Sequence, residues 1–275
     1  MRQSSKRSLE RPICVFSYHK SGTVLLAKVF REICREKGWI FRSRLGKQRK
    51  LPPHADVILF GHSDVDLDCI DTPFLGIHII RDPRDIIVSG YLYHCRTTEK
   101  WCVNSDFTIS HPIVFPQVPY SQEYRAEAWK INYLKSLGGR SYQENLRQRS
   151  QHDGLLFEMR HYGAWTINNM IAWDYQRSNI LEVKFEQLMR RYDDTFYSIF
   201  SHLGFSETDI SACLEITAKH DLNRKPVEEI QQMDHVSSTQ HTRWREYFER
   251  QHKQEFIRLF GNVLIDLGYE KDNDW

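Results

Sequence analysis

The sequence predicts an α/β fold, a parallel β-sheet with helices packed on both faces. Three observations carry that expectation. Short apolar runs recur along the chain, long enough for buried strands and too short for helices. They are continuous rather than alternating, as strands covered on both faces are. Stretches with apolar residues at helical spacing lie between them, so strands and helices alternate.

Ile13 to Ser17 is the first strand, and Leu26, Val29, Phe30 and Ile33 then mark the i, i+3, i+4, i+7 stripe of a helix. The basic stretch Arg42 to Lys50, ended by Pro52-Pro53, reads as a loop. Val57 to Phe60 and Phe74 to Ile80 are further strands, and Ile86, Ile87, Val88 and Leu92 supply a helix face. From Cys95 to Gln176 the pattern changes. Pro112, Pro116 and Pro119 break it, and helices are expected over Tyr120–Leu137 and Leu155–Tyr175 on either side of Gly138-Gly139. Ile180 to Phe185 returns to strand, followed by helices over Thr195–Leu203 and Thr208–Lys219, the second capped by Ser206. Asp221 to Thr242 reads as a long flexible loop. A last helix carries Phe256, Leu259, Phe260, Val263, Leu264 and Leu267 on one stripe, with Gly268 as its cap. The expected organisation is a flexible N-terminus (1–10) and a single domain over 11–275, within which 95–176 is an insertion.

Composition narrows the function classes. A formal charge of +2 and a pI near 8.2 give no case for a nucleic-acid binder. The six cysteines show no zinc spacing, and Cys14 and Cys34 fall in apolar runs where buried free thiols belong. No apolar signal core opens the chain and no stretch reaches the roughly 20 apolar residues of a membrane span. A cytoplasmic, reducing setting is the expectation.

Two motifs carry chemistry. Ser17-Tyr18-His19-Lys20-Ser21-Gly22-Thr23 joins a strand to a helix, which aims backbone N–H groups and the helix dipole at one point, an anion site. Gly22 permits close backbone approach, Thr23 adds a hydroxyl and Lys20 a point charge. A Walker A loop needs glycine just before the lysine and six residues before it, where this chain has His19 and Cys14. A loop for a single 5′-phosphate fits better than one for a triphosphate. The second motif, Arg81-Asp82-Pro83-Arg84-Asp85, puts Arg81 at the C-terminal end of a buried strand, where open α/β sheets bind ligands. Pro83 suits the first helical turn, Asp85 the positive helix terminus, and Ser89 a position facing the same ligand.

These residues resemble the PAPS-dependent sulfotransferase family, PAPS being 3′-phosphoadenosine 5′-phosphosulfate. Tyr18 to Thr23 is similar to its 5′-phosphosulfate loop, Arg81 to Ser89 to its 3′-phosphate motif, and Val183 to Leu188 to its later strand. Phe200 to Gly204 is similar to the helix that follows. The likeness spans about residues 12–93 and 180–268. It implies a P-loop-like three-layer fold, PAPS as cofactor with 3′,5′-adenosine bisphosphate (PAP) as product, and no metal. It also implies Lys20, Ser21, Gly22, Thr23 and Val24 on the 5′ side, Arg81 and Ser89 on the 3′-phosphate, and Phe185 near adenine. Three departures stand out. Val24-Leu25 replaces Thr-Trp, Phe185 replaces tyrosine, and the C-terminal Arg-Lys-Gly element is absent, leaving Arg243-Trp244-Arg245 as the candidate clamp.

Transfer to an alcohol needs a general base, and histidine titrates near neutrality. Among the 13 histidines, His62 follows the strand Val57–Phe60, as a catalytic histidine does in the family's cytosolic branch. His94, His111 and Glu158 remain alternatives. The acceptor is expected to be a hydroxylated small molecule or lipid, walled by the insertion; a homodimer is allowed. Two other readings stay open at this point, a P-loop-type kinase using Asp64 or Asp66 for a metal, and a non-catalytic nucleotide-binding module.

Overall fold

The computed structural model describes residues 9–105, 135–226 and 242–275. In chain order the elements are β1 (Ile13–Ser17), α1 (Thr23–Lys37), β2 (Phe41–Arg44), β3 (Val57–Phe60), β4 (Leu75–Ile80), α2 (Pro83–His94), α3 (Lys100–Val103), α4 (Tyr142–Arg147), α5 (Gln151–Arg160) and α6 (Tyr162–Ile171). They continue with β5 (Ile180–Lys184), α7 (Phe185–Arg190), α8 (Tyr192–His202), α9 (Glu207–Ala218), α10 (Trp244–Tyr247), α11 (Arg250–Phe260) and α12 (Val263–Asp266). The strands form one all-parallel sheet in the order β2-β3-β1-β4-β5. The expected class, a parallel sheet flanked by helices, is the one adopted. Contacts divide the chain into two compact units, residues 1–81 with 173–232 and residues 82–172 with 233–275.

The first unit holds the sheet. β1 is buried along its whole length, and its side chains alternate between two cores. Ile13 and Val15, with Val57, Leu59, Ile77, Ile79 and Val183, receive the α1 stripe and Phe196, Ile199 and Phe200 of α8. Cys14 and Phe16 face the other way, against Ile58, Phe60, Phe74 and Trp173. Phe16 stacks on Phe60 at 5.1 Å. Burial of each such ring stabilises the unit by about 1.5–3 kcal/mol. Gly76 of β4 has a packing reason, since a Cβ there would lie 3.1 Å from Phe16 and 3.2 Å from Ile180.

In the second unit Cys102, Leu137, Tyr142, Leu146, Phe157, Tyr162 and Trp165 form an aromatic-rich core. α5 packs on α2, α6 and α11. All six cysteines are free, and Cys14 and Cys34 are buried as expected.

Several expectations change. The stretch read as a loop from Arg42 begins within β2, an edge strand paired only with β3, whose exposed Arg42 and Ser43 suit an unpaired sheet edge. Phe185 opens α7 instead of ending β5. The last helix is two, because Gly261 takes φ 56°, ψ −124° after Phe260; Gly268 does cap the second with φ 66°. The helix expected from Leu155 starts at Gln151 behind the Ser150 cap, breaks at His161 and ends at Ile171. α4 was not expected, although Ser141 and Glu144 form its reciprocal capping box. Ser206 caps α9 as predicted. The segment around Pro112–Pro119, residues 120–134 of an expected helix, His111, and most of the expected 221–242 loop lie outside the described residues.

Candidate functional site

In a parallel sheet every strand ends at the same edge, and ligands bind where the order reverses. Here that point is β1, with β3 on one side and β4 on the other. The segments leaving four adjacent strands of the first unit carry His62 (β3), Lys20 (β1), Arg81 (β4) and Phe185 (β5). The topology thus gathers residues that are 165 positions apart in the chain at their extremes (185 − 20).

The loop after β1 is held from within. The Ser21 hydroxyl donates to the Tyr18 carbonyl (2.9 Å) and accepts from the Tyr18 N–H (2.7 Å). Ser21 N–H also donates to that carbonyl, at 3.1 Å. Both Ser21 donors are therefore used inside the loop. Thr23 Oγ1 donates to the same carbonyl and meets Ser17 Oγ, each at 2.9 Å. This folding drives Lys20 into the left-handed region at φ 63°, and Gly22 follows at φ 94°. α1 begins at Thr23 with no side-chain cap and no acid in its first turn, so its N-terminal dipole is unanswered by a side chain. Val24 stands 39 % exposed in that turn.

Arg81 leaves β4 almost buried, at 8 % exposure. Its Nη1 donates to the Lys20 carbonyl at 2.8 Å, and its guanidinium lies 5.1 Å over the Phe185 ring. Its Nε is buried without a hydrogen-bond partner among the described residues. A Cβ on Gly22 would stand 3.0 Å from Phe185 Cε2, so glycine is required there by space as well as by φ. Phe185, Arg81 and the Lys20 loop are thus one packed group.

His62 follows β3. Ser63, at φ 48°, donates its hydroxyl to the Ser17 carbonyl (2.9 Å), which ties the His62 turn to the end of β1. Gly61 allows the approach, since a Cβ would meet Leu45 at 2.8 Å and Thr23 at 3.6 Å. His62 is half-buried, and the loss of hydration pushes its imidazole down to about 4. Asp66, one of the two carboxylates considered for a metal, lies 3.7 Å from Arg49.

The remaining candidates belong to the second unit. Ser89 is buried on α2. Arg243 donates to the Tyr247 hydroxyl (3.2 Å), and Arg245 lies 4.7 Å over the Trp244 ring. His94 and Glu158, both considered as bases, are bound to each other at 2.9 Å and fully buried, with Tyr142 Oη donating to the same Glu158 oxygen at 2.9 Å. Asp85 does not simply answer the α2 dipole. It is buried, and its carboxylate accepts from Thr242 N–H (2.8 Å) and Trp244 N–H (3.0 Å). Sequence reasoning missed Arg84, which grips Asp82 through Nε (3.0 Å) and Nη2 (2.7 Å) and donates to Glu270 at 2.6 Å. Its guanidinium lies 3.7 Å from the Trp244 ring and 4.6 Å from that of Trp275. No local signal announces these partners, since they lie as far as 191 residues away (275 − 84).

No family model matches the chain, and no curated protein matches it in sequence. Among solved structures it is similar to a mouse sulfotransferase, SULT7A1, complexed with PAP, at 16 % identity and a TM-score of 0.49, over 95 % of this chain and 88 % of that one. It is also similar to retinol dehydratase in complex with androsterone and inactive cofactor PAP, at 14 % identity and a TM-score of 0.43, over 94 % and 82 % of the two chains.

Proposed function

We propose that the chain is a sulfotransferase, transferring a sulfuryl group from PAPS to a hydroxyl of a small-molecule or lipid acceptor and releasing PAP. The observation that carries this reading is Arg81. Its Nε is buried without an acceptor among the described residues, which costs about 1–3 kcal/mol, and the group lies against a lysine loop that opens a helix with no side-chain cap. An anion with more than one charged group answers all three features. The absent Walker glycines speak against a triphosphate, and the aromatic face of Phe185 offers a surface for a base.

The residues divide the work as follows. Lys20 neutralises charge on the departing phosphate, aided by the N–H groups of Thr23 and Val24 at the α1 terminus. Gly22 brings the backbone close, and Ser21 shapes the loop, since its donors are already used there. Arg81 is assigned to the 3′-phosphate, with Ser89, Arg243 and Arg245 as further candidates. His62 takes the acceptor's proton as its oxygen bonds to sulfur and the sulfur–oxygen bond to the donor phosphate breaks. His62 follows β3, at the same strand ends that carry Lys20 and Arg81, whereas His94 and Glu158 already bind each other in a buried core.

Thermal unfolding with PAP, compared with ATP and magnesium, tests the reading. At a hundredfold excess over its dissociation constant PAP is expected to stabilise the fold by about 2.7 kcal/mol. Stabilisation by ATP and magnesium but not by PAP would replace the proposal with a kinase. PAP binding without PAPS turnover across a panel of alcohols would leave a binding module.

A further inference from the structure

Within the second unit, and independent of the nucleotide reading, a cavity of about 480 Å³ opens between α4, the start of α5 and the break at His161. Arg140, Arg149 and Arg160 line it, with His161 and Phe157. We propose that this cavity is a binding site for a small oxyanion, sulfate or phosphate, either free or as the anionic group of a larger ligand.

The arginine side chains are arranged rather than scattered. Arg149 lies 4.5 Å over the Phe157 ring, and its Nη1 donates to the backbone carbonyl and to Oδ1 of Asn145. Two contacts thereby fix the plane of the guanidinium, and Nη1 alone is used on protein acceptors among the described residues. Such a preformed planar fork suits a tetrahedral or planar oxyanion. Arg140 is exposed, and, after the Ser141 hydrogen bonds, its charge helps to hold the Glu144 carboxyl below its ordinary range. Arg160 is the least available of the three, since its Nε donates to Glu255 at 2.6 Å and Glu255 also holds Arg258.

Asp153 is the one carboxylate on the wall among the described residues, and it accepts the Ser150 hydroxyl at 2.8 Å. Glu255 offsets Arg160 and Glu144 lies in the field of Arg140, which leaves Arg149 as the lining cation with no carboxylate partner among the described residues. His161 stands in the field of two of these arginines. It stacks on Phe157 at 4.1 Å, and its imidazole is pushed down to about 4 by burial first and then by Arg149 and Arg160. An anion bound at the arginines would cancel part of that repulsion, so protonation of His161 and oxyanion binding are linked.

The linkage gives a local readout. The His161 ring is followed by NMR through a pH titration of the intact protein, its signals identified by their loss in His161→Asn. The titration is run in inorganic sulfate, in inorganic phosphate and in chloride of equal ionic strength. Sulfate or phosphate is expected to raise the His161 pKa by about one unit over chloride, and the larger of the two shifts names the preferred oxyanion. The shift is expected to vanish in Arg149→Gln and to persist in Lys20→Ala, which separates it from anion binding at the β1 loop. Arg140→Gln, at an exposed position, serves where Arg149→Gln does not fold. An identical titration in sulfate, phosphate and chloride, or a shift that survives both arginine variants, overturns the proposal.

Discussion

Lys20 combines two properties that pull in opposite directions. Its left-handed backbone costs an L-residue roughly 1–2 kcal/mol, and its side chain carries the charge that the proposed reaction needs. Lys20→Gly separates them. The variant is expected to be more stable than the parent by up to about 1 kcal/mol in urea unfolding, with turnover lower by about 10²–10³-fold. Loss of both stability and turnover would mean that the side chain holds the loop together. Gly22 is the complementary case. Gly22→Ala meets a left-handed φ and the Phe185 ring, itself covered by Arg81, so it is expected to cost about 1–3 kcal/mol and weaken PAP binding together. Unchanged PAP affinity would detach Phe185 and Gly22 from the site.

At the scale of elements, a helical glycine gives a prediction whose sign is opposite to propensity. Alanine normally stabilises a helix interior by about 1 kcal/mol over glycine. On α2, however, a Cβ at Gly90 would stand 2.6 Å from Glu158 Oε1, and Glu158 cannot yield because its other oxygen binds His94 and Tyr142. Gly90→Ala is therefore expected to destabilise by about 1–3 kcal/mol, the cost of disturbing a buried hydrogen-bonded group. A stabilised Gly90→Ala would show the Glu158 cluster to be loosely held. Elements also mark how far the sequence could be read. β1, β3, β4, α1 and α2 were legible because their apolar runs and stripes are local. β2 was not, because an edge strand is recognised by what it pairs with and its composition is that of a loop. Likewise Lys20, Arg81 and His62 could be placed at strand ends from local pattern. The hold of Asp85 on Thr242 and Trp244, and of Arg84 on Glu270, depends on chain reversals that no window contains.

For the whole molecule, histidines partly or fully withdrawn from water set the response to acid. Burial lowers the pKa of His62, His78, His161 and His252, to about 4 for His62 and His161, with a hydrogen bond to Glu182 partly opposing the effect at His78. Two of these lie in each compact unit, so neither is spared. The unfolded chain takes up protons at such groups near pH 6.5, and the folded chain does so only at lower pH. Their contribution is thus fully present above about 6.5 and is lost as pH falls through the lowered folded values, about 4 for His62 and His161. The carboxylates act in a different window. Glu255, held by Arg258 and Arg160, is pushed down to about 2, so its contribution is present above the ordinary carboxylate range and is lost as pH falls through that range toward 2. Urea midpoints are accordingly expected to fall steadily between pH 7 and pH 5, at most by about 1.4 kcal/mol per pH unit for each histidine. Replacing His62 and His161 with glutamine is expected to flatten that slope, whatever it does to stability at pH 7. A midpoint unchanged over this range, or a slope that the double variant leaves intact, would mean that these imidazoles are protonated in the folded protein.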